Sequence, residues 1–387
     1  MLETDIVRVQ IRTIGDEVRD TFWIADRRGR KIVDGRKLHQ LRLAVVLIKQ
    51  FTYVLPSAPN PSQALQQFEA MVSNLVNDPV LADDFDRLQS TPVLRTFAEM
   101  MGVSQFLWED FLRMQHANLF PVVSDTSALR QDRDKPELER RLQDALGGGS
   151  HDEQETVILN RFKDREMLRI DLRHITRKIG DVAFSQELSD LTEVVVAESV
   201  QLCHDRLKQK YGTPRTEDGA VCQLAVLGLG KFGGREMGFA SDIELIFVYR
   251  GNGETDGSQQ VDNSLYFQEL VQTFLRTLQA RQEGIFDIDL RLRPFGKGGR
   301  LACSVEEFEG YYSLAGSAQN FERMALVKLR PVFGNQRLVD PILRARDRFV
   351  YSRQPVDYSM IRHLRSRQAV ELVKVGAINA KYSPCLL

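Results

Sequence analysis

At 387 residues, with 43% hydrophobic and 27% charged content, the chain has the balance of an ordinary globular protein and is long enough for two or three folding units. Lys plus Arg number 52 against 53 for Asp plus Glu, and the formal net charge of -1 excludes a global field drawing the chain onto nucleic acid. No apolar run is long enough to cross a bilayer, Met1 opens no leader pattern, and Cys203, Cys222, Cys303 and Cys385 are too scattered for a zinc site or disulfide framework; the expectation is a soluble, cytoplasmic, reduced protein with no membrane partner.

The first fifty residues read as β-β-α. Val7, Val9 and Ile11 alternate with Arg8 and Gln10, a polar turn falls at Gly15 and Asp16, and Val18, Phe22 and Ile24 mark a second strand. A helix over about 36–49 carries the apolar stripe Leu38, Leu41, Val45 and Ile48. The run VRVQIRTIGDEVRDTFWIADRRGRKIVDGRKLHQLRLAV resembles the second half of an ACT regulatory domain, in the version found in nitrogen-sensing uridylyltransferases. An unrelated hairpin and helix is the alternative. Two strands and a helix bury little surface, so residues 1–52 are expected to be half of such a module.

After Pro56, Pro59 and Pro61 the pattern turns helical, with Leu65, Phe68, Val72 and Leu75 on one face and a later group at Leu94, Phe97, Met101, Phe106, Leu107 and Phe111. Residues 60–212 read as a helical lead-in. Residues 131–155 are highly charged and contain a triple glycine followed by serine, so a mobile connection is expected near Gly147 to Ser150, a surface loop more than a hinge. Helices resume at about 155–179 and 187–210; in the first, the basic and acidic positions between Phe162, Leu168, Ile170, Leu172 and Ile175 are expected to form a solvated face.

The segment LAVLGLGKFGGREMGFASDIELIFVYR, residues 224–250, carries the chemistry. Leu224 to Leu229 reads as a buried strand, Gly230 to Gly238 as a glycine-rich turn with a short helical piece, and Ile243 to Tyr249 as a second strand. A period of two puts Asp242 and Glu244 on one face while Ile243 and Leu245 enter the core. Adjacent carboxylates repel unless a cation lies between them, and oxygen ligands favour a hard ion such as magnesium. Two solvated acids on an edge strand are the alternative, against which the apolar run Leu245 to Val248 indicates a central strand.

A helix over about 263–282, with Phe267, Leu270, Val271, Phe274 and Leu278 on its apolar face, leads into IFDIDLRLRPFGKGG. Alternation there would put Asp287, Asp289, Arg291 and Arg293 on one face of a strand. Asp289 could complete the metal site or act as a base. The arginines could take phosphate bidentately or simply neutralise the acids. Ser304 and Glu307 form a capping box opening a helix through Tyr311 and Tyr312. FERMALVKLRPVFG reads as a further helix, whose Arg323 and Arg330, seven apart, either reach phosphate or pair with acids such as Glu322 at the surface.

GLGKFG at 228–233 also matches the glycine pattern of dinucleotide-binding folds. Only about ten residues separate its strand from Ser241, too few for a parallel crossover, and no acid ends the second strand to hold a ribose.

GLGKFGGREMGFASDIELIFVY, DIDLRLRPFG and ERMALVKLRPVFG, in that order, resemble the successive motifs of the glutamine synthetase adenylyltransferase and adenylyl-removing family. The similarity runs back through LNRFKDREMLRIDLRHITRKIGD and forward to HLRSRQ and GAINAKYSP. It implies an α+β chain with a polymerase-β-like nucleotidyltransferase core at 213–335 and the start of a truncated C-terminal helical domain at 336–387. It also implies that Asp242, Glu244 and Asp289 bind one or two magnesium ions, and that Gly230, Lys231, Gly233, Gly234 and Ser241 line the phosphates of ATP, or of ADP and phosphate. Glu244 stands where an aspartate is commoner in the family, one methylene longer.

Family members hold two such cores, one attaching AMP to a tyrosine of glutamine synthetase and one removing it by phosphorolysis. RFVYSRQPVDYSMIRHLRSRQ is closer to the AMP-removing core. Glutamine synthetase, and a PII-type signal protein, are the partners the resemblance implies. The alternative is a catalytically inactive core serving as a nucleotide-binding or regulatory scaffold.

Overall fold

The computed structural model describes residues 4–14, 17–77, 90–103, 128–148, 154–239, 241–279, 286–313, 315–319, 321–352 and 358–374. Helices and sheets mix as expected, in two compact units: residues 1–131 with 168–180, and residues 132–167 with 181–387.

In the first unit, β1 (Thr4–Ile14) and β2 (Glu17–Asp26) form the expected antiparallel ribbon, with a register shift between Ile6 and Arg8. Val7, Val9 and Ile11 alternate as read, but they stay exposed. α1 (Gly35–Val54) buries a different stripe from the one expected: Leu38, Val45 and Ile48 are exposed, and Leu47, Phe51 and Val54 join Leu41 inside. The reason is Phe68 of α2 (Pro61–Asn77), whose ring stacks on Phe51 with centroids 3.7 Å apart and turns the C-terminal half of α1 inward. Leu65 is exposed, whereas Phe68 and Val72 are buried; α3 (Thr91–Met101) buries Leu94, Phe97 and Met101 as expected. Phe106, Leu107 and Phe111 lie outside the described residues.

The second unit holds a helix that ends at the glycine stretch read as a connection, of which Gly149 and Ser150 lie outside the described residues. α4 (Lys135–Gly147) is opened by Asp134, whose side chain accepts from the Glu137 N–H at 3.0 Å, with Pro136 in the first turn. α5 (Glu155–Ile175) begins in this unit and ends in the first. Only part of its charge lies on a solvated face: Glu155, Arg161 and Arg165 are exposed, but Lys163, Glu166, Arg169, Asp171 and Arg173 are all buried. Charges survive burial when matched, and here Glu166 pairs with Arg133, Lys163 donates to the Gln279 carbonyl, and Arg169 donates to that of Gln131 at 3.2 Å. Asp171 has neither oxygen partnered, and burial pushes its carboxyl well above the usual range.

α6 (Asp181–Tyr211) is buried over most of its circumference and supports the sheet. The sheet runs β5-β4-β3-β7, with β6 beside β4 beyond the end of β5. β3 (Leu224–Gly228) and β4 (Ile243–Tyr249) are antiparallel, Gly228 opposite Leu245, which excludes the parallel dinucleotide-binding arrangement. β5 (Ile288–Asp289) and β6 (Ala302–Ser304) both run parallel to β4. Flanked on both sides and covered on both faces, β4 is buried at every position after Glu244, as its unbroken apolar run indicated.

One face of the sheet packs Ala225, Leu227, Ile246 and Val248 against α9 (Val305–Tyr311) and α11 (Gln336–Val350), through Phe308, Leu338, Ile342 and Phe349. The other puts Phe247 and Tyr249 against Phe274 and Phe267 of α8 (Asn263–Thr277), centroids 5.3 and 4.9 Å apart. The Ser304–Glu307 capping box opens α9 as read. FERMALVKLRPVFG is not one helix: α10 (Glu322–Leu326) is a single turn, and β7 (Arg330–Phe333) pairs antiparallel with β3. α12 (Tyr358–Lys374) is the last described element; GAINAKYSP and Cys385 lie outside the described residues.

Candidate active site

Parallel pairing sets Glu244 of β4 directly across the ladder from Asp289 of β5, one step after Ile243 faces Ile288. Asp242 precedes β4 and shares the half-buried side of Glu244, with buried Ile243 between them. Three carboxylates therefore occupy neighbouring positions at one end of the central strand. Their mutual field is felt at Glu244, whose pKa is raised by burial first and then by the charges of Asp289 and Asp242, while Arg291 and Lys231 oppose the shift.

Asp289 is displaced in the opposite sense. Burial alone would raise it, but hydrogen bonds from the Arg291 side chain and backbone, with Lys297 adding, hold it below the usual carboxylate range. The Arg291 N–H donates to Oδ1 at 2.8 Å and its Nε to Oδ2 at 2.7 Å. Oxygen donors of this kind suit a hard divalent cation in chemistry. In arrangement they stop short of one: among the described residues no three His, Cys, Asp or Glu side chains form a ready metal-holding group. Asp289 is closed on Arg291, and the tip of Glu244 occupies the space where a side chain on Gly230 would stand.

The glycine-rich turn joins β3 to β4 and begins with α7 (Gly230–Gly233). Gly230 has φ +53, in the left-handed region, and leaves room for the Glu244 carboxylate. At Gly233 a Cβ would overlap the carbonyl oxygens of Lys328 and Gly228, so two backbone segments meet where only glycine fits. Lys231 is exposed, and Gly234 half-buried between Glu236 and Lys328. Ser241 is buried, its hydroxyl accepting the Gly238 N–H at 2.8 Å, so it closes the turn instead of facing open space.

Arg293 and Arg323, read as phosphate ligands or as partners of acids, bond backbone carbonyls instead. β5 ends at Asp289, so the expected alternation through Arg293 is lost; the chain turns, and Arg293 donates to the carbonyls of Leu290, Lys297, Gly299 and Arg300. It pins its own loop. Arg323 is buried and donates to the carbonyls of Val350 and Ser352, where α11 leaves its last acceptors open. Glu322 is also buried, accepting from the Tyr311 hydroxyl at 3.0 Å, not from a surface base. Arg291 stays with the acids of the cluster.

Further residues brace the site from behind, and Arg330, read as reaching phosphate or pairing with an acid, takes the second course. Arg330 donates to the carbonyls of Phe232 and Gly233, at 3.4 and 3.2 Å, and pairs with Glu193 of α6. Arg235, with φ 57, pairs with Asp190 one turn earlier on α6. Phe286, just before β5, and Phe295, in the loop after it, have φ 61 and 62. Left-handed backbone at aromatic residues stores strain and is the kind of signal that marks a constrained site, but no local pattern in the sequence announces it.

A family model described as glutamate-ammonia ligase adenylyltransferase matches residues 94–345. Among curated relatives, the bifunctional glutamine synthetase adenylyltransferase/adenylyl-removing enzyme of Thioalkalivibrio sulfidiphilus is 39% identical over 214 residues, 55% of this chain and 22% of the relative. The enzyme of the same description from Pseudomonas aeruginosa is 31% identical over 321 residues, 81% of this chain and 32% of the relative. That of Nitrosococcus oceani is 32% identical over 309 residues, 78% of this chain and 31% of the relative. The chain thus spans at most about a third of the length of these relatives.

Proposed function

This chain belongs to the glutamate-ammonia ligase adenylyltransferase family, and from that premise we propose that residues 213–335 are a polymerase-β-like nucleotidyltransferase core that adds AMP to a tyrosine of glutamine synthetase or removes it by phosphorolysis. The observation that carries the reading is the ladder pairing of Glu244 with Asp289, with Asp242 on the same side and the glycine turn adjoining.

Asp242, Glu244 and Asp289 would hold one or two magnesium ions once Arg291 leaves Asp289. Bound there, magnesium supplies charge neutralisation for the transferring phosphoryl group. Arg291, released, is a mostly exposed guanidinium able to take phosphate oxygens bidentately, and Lys231 adds positive charge on the same side. Gly230 leaves room for the Glu244 carboxylate, Gly233 lets the Lys328 and Gly228 backbones close on the turn, and Arg330 holds that turn in place where it would lie beneath the nucleotide.

The ββα segment at 1–52 is an ACT-like half module in this reading, and a PII-type signal protein is a second partner. The setting is cytoplasmic nitrogen regulation; among the described residues no helix is long and apolar enough to cross a membrane. The closed Arg291–Asp289 pair favours one other reading, a catalytically silent core that binds nucleotide as a regulatory scaffold.

The deciding experiment incubates the full chain and its Asp242→Ala variant with unmodified and with adenylylated glutamine synthetase, magnesium, and ATP or phosphate, reading the tyrosine by mass spectrometry. Gain or loss of AMP with the wild type and not the variant supports catalysis and gives its direction. Nucleotide binding without either change supports the scaffold.

A further inference from the structure

Asp289 sits on a strand of two residues, too short to fix its own position. What holds β5 in register must come from its flanks. On the entering side, the Phe286 N–H donates to the Ser241 carbonyl at 3.3 Å, and the Asp287 carbonyl accepts the Ile243 N–H at 2.8 Å. Phe286 itself is buried at φ 61. A bulky residue in the left-handed region is strained and persists only where its surroundings over-determine it.

Those surroundings come from one turn of α5. Lys163 is 1% exposed, and its ammonium lies 5.1 Å from the centroid of the Phe286 ring, within cation–π range. The same ammonium donates to the Gln279 carbonyl and lies 3.5 Å from Asp164 Oδ1. One turn earlier Asn160 takes the other groups of this segment: its amide donates to the Thr277 carbonyl at 2.7 Å, and its Oδ1 accepts the Gln279 N–H at 3.1 Å. Residues at i and i+3 of a helix share a face, so one patch of α5 grips both ends of the α8–β5 connection. A buried ammonium is costly, and a Met or Leu would fill the same space without that cost. The charge is explained by what it holds.

We infer that Lys163 is a positioning residue for Asp289: through Gln279 and the Phe286 ring it keeps β5 paired with β4, and so keeps the Asp289 carboxylate beside Glu244. Asn160 secures the same connection at its start. The role in catalysis rests on the nucleotidyltransferase reading above; the role in holding β5 does not.

The test compares Lys163→Met, Lys163→Arg and Asn160→Ala in the full chain. Amide hydrogen exchange at Ile243 reports the bond to Asp287 directly, and β3 amides serve as the control. In Lys163→Met, exchange at Ile243 is expected to rise about tenfold while β3 is unchanged, and the magnesium concentration for half-maximal adenylyl transfer is expected to rise about tenfold. The KM for glutamine synthetase should stay put. Lys163→Arg, which can still donate to Gln279 and stack on Phe286, should restore both readouts, and Asn160→Ala should loosen Ile243 in the same sense.

Unchanged exchange at Ile243 in Lys163→Met and Asn160→Ala overturns the inference. So does a uniform rise across β3 and β4 with a lowered melting temperature, which is what a merely structural lysine would give. An unchanged magnesium requirement in an active Lys163→Met enzyme removes the catalytic part. If the wild type itself neither binds magnesium nor transfers AMP, the function proposed above fails, and the exchange arm alone decides whether Lys163 holds β5.

Discussion

Arg291 grips Asp289 from two directions, its backbone N–H on one carboxylate oxygen and its guanidinium on the other, while the field of Asp242 and Glu244 reaches the same guanidinium. One guanidinium is thus shared by three anions, with Lys231 acting on Glu244 and Lys297 on Asp289 from further off. Removing it separates the two ligands the site is proposed to take. In Arg291→Gln, Asp289 loses its partner, so magnesium alone should bind several-fold more tightly at neutral pH. ATP should bind about tenfold more weakly, the loss of one charge-assisted hydrogen bond to phosphate. Calorimetry with magnesium chloride and with magnesium ATP measures both, and parallel changes in the two affinities would refute this division of labour.

Gly230 and Gly233 are three residues apart and should fail differently. An alanine Cβ at Gly230 meets only the tip of Glu244, which can swing away, and the left-handed φ adds about 1 kcal/mol of strain. At Gly233 it meets two backbone carbonyls that cannot yield without shifting the turn or β7. Gly230→Ala should fold with a slightly lowered urea midpoint and a clear loss of magnesium affinity. Gly233→Ala should lose about 3 kcal/mol of stability. Equal urea midpoints for the two variants would contradict this assignment.

The parts of the site legible in the sequence are those written in local, repeated pattern. Leu224 to Gly228 and Ile243 to Tyr249 are long enough for their apolar runs to read as central strands, and Ser304 with Glu307 is a complete capping signal within four residues. β6 and β7 have three and four residues, and ERMALVKLRPVF has helical spacing until tertiary pairing with β3 overrides it. Arginine identity says nothing about its acceptor, so Arg293 and Arg323, committed to backbone carbonyls, look in sequence like phosphate ligands. The charges of α5 misled for a related reason. Their partners, such as Gln279 for Lys163 and Arg133 for Glu166, are remote in the chain or peptide carbonyls that no side-chain pattern displays.

Glu193 ties the glycine turn to α6. It accepts from both Lys135 and Arg330, and burial, which would raise its pKa, is outweighed by the hydrogen bonds from these two, so it lies below the ordinary glutamate value. In Glu193→Gln, Arg330 stays partly buried without its counter-charge but keeps the carbonyls of Phe232 and Gly233. A loss of about 2 kcal/mol in urea unfolding is expected, less than for a fully buried pair because Arg330 is a quarter exposed. ATP affinity should fall with it, since the turn loses its anchor. A variant with wild-type stability and nucleotide affinity would show that the pair is ornamental to both.

His204 of α6 gives the fold a predictable acid sensitivity. Its ring is buried with Nδ1 2.6 Å from the Tyr266 hydroxyl, and burial, with Lys208 nearby and Asp205 partly opposing, lowers its pKa from 6.5 to about 4. The folded protein therefore keeps this imidazole neutral where the unfolded chain would protonate it. Stability from this group is complete above pH 6.5, declines as pH falls toward 4, and declines no further below. The difference amounts to about 3 kcal/mol across that window. His204→Gln shifts stability by an amount independent of pH through altered packing, but it removes this slope. Urea unfolding of wild type and variant at pH 7 and pH 4.5 isolates the term: the gap between them should move by roughly 2.5 kcal/mol in favour of the variant on acidification. A constant gap would mean that the folded state accommodates the imidazolium, and that burial does not keep His204 neutral.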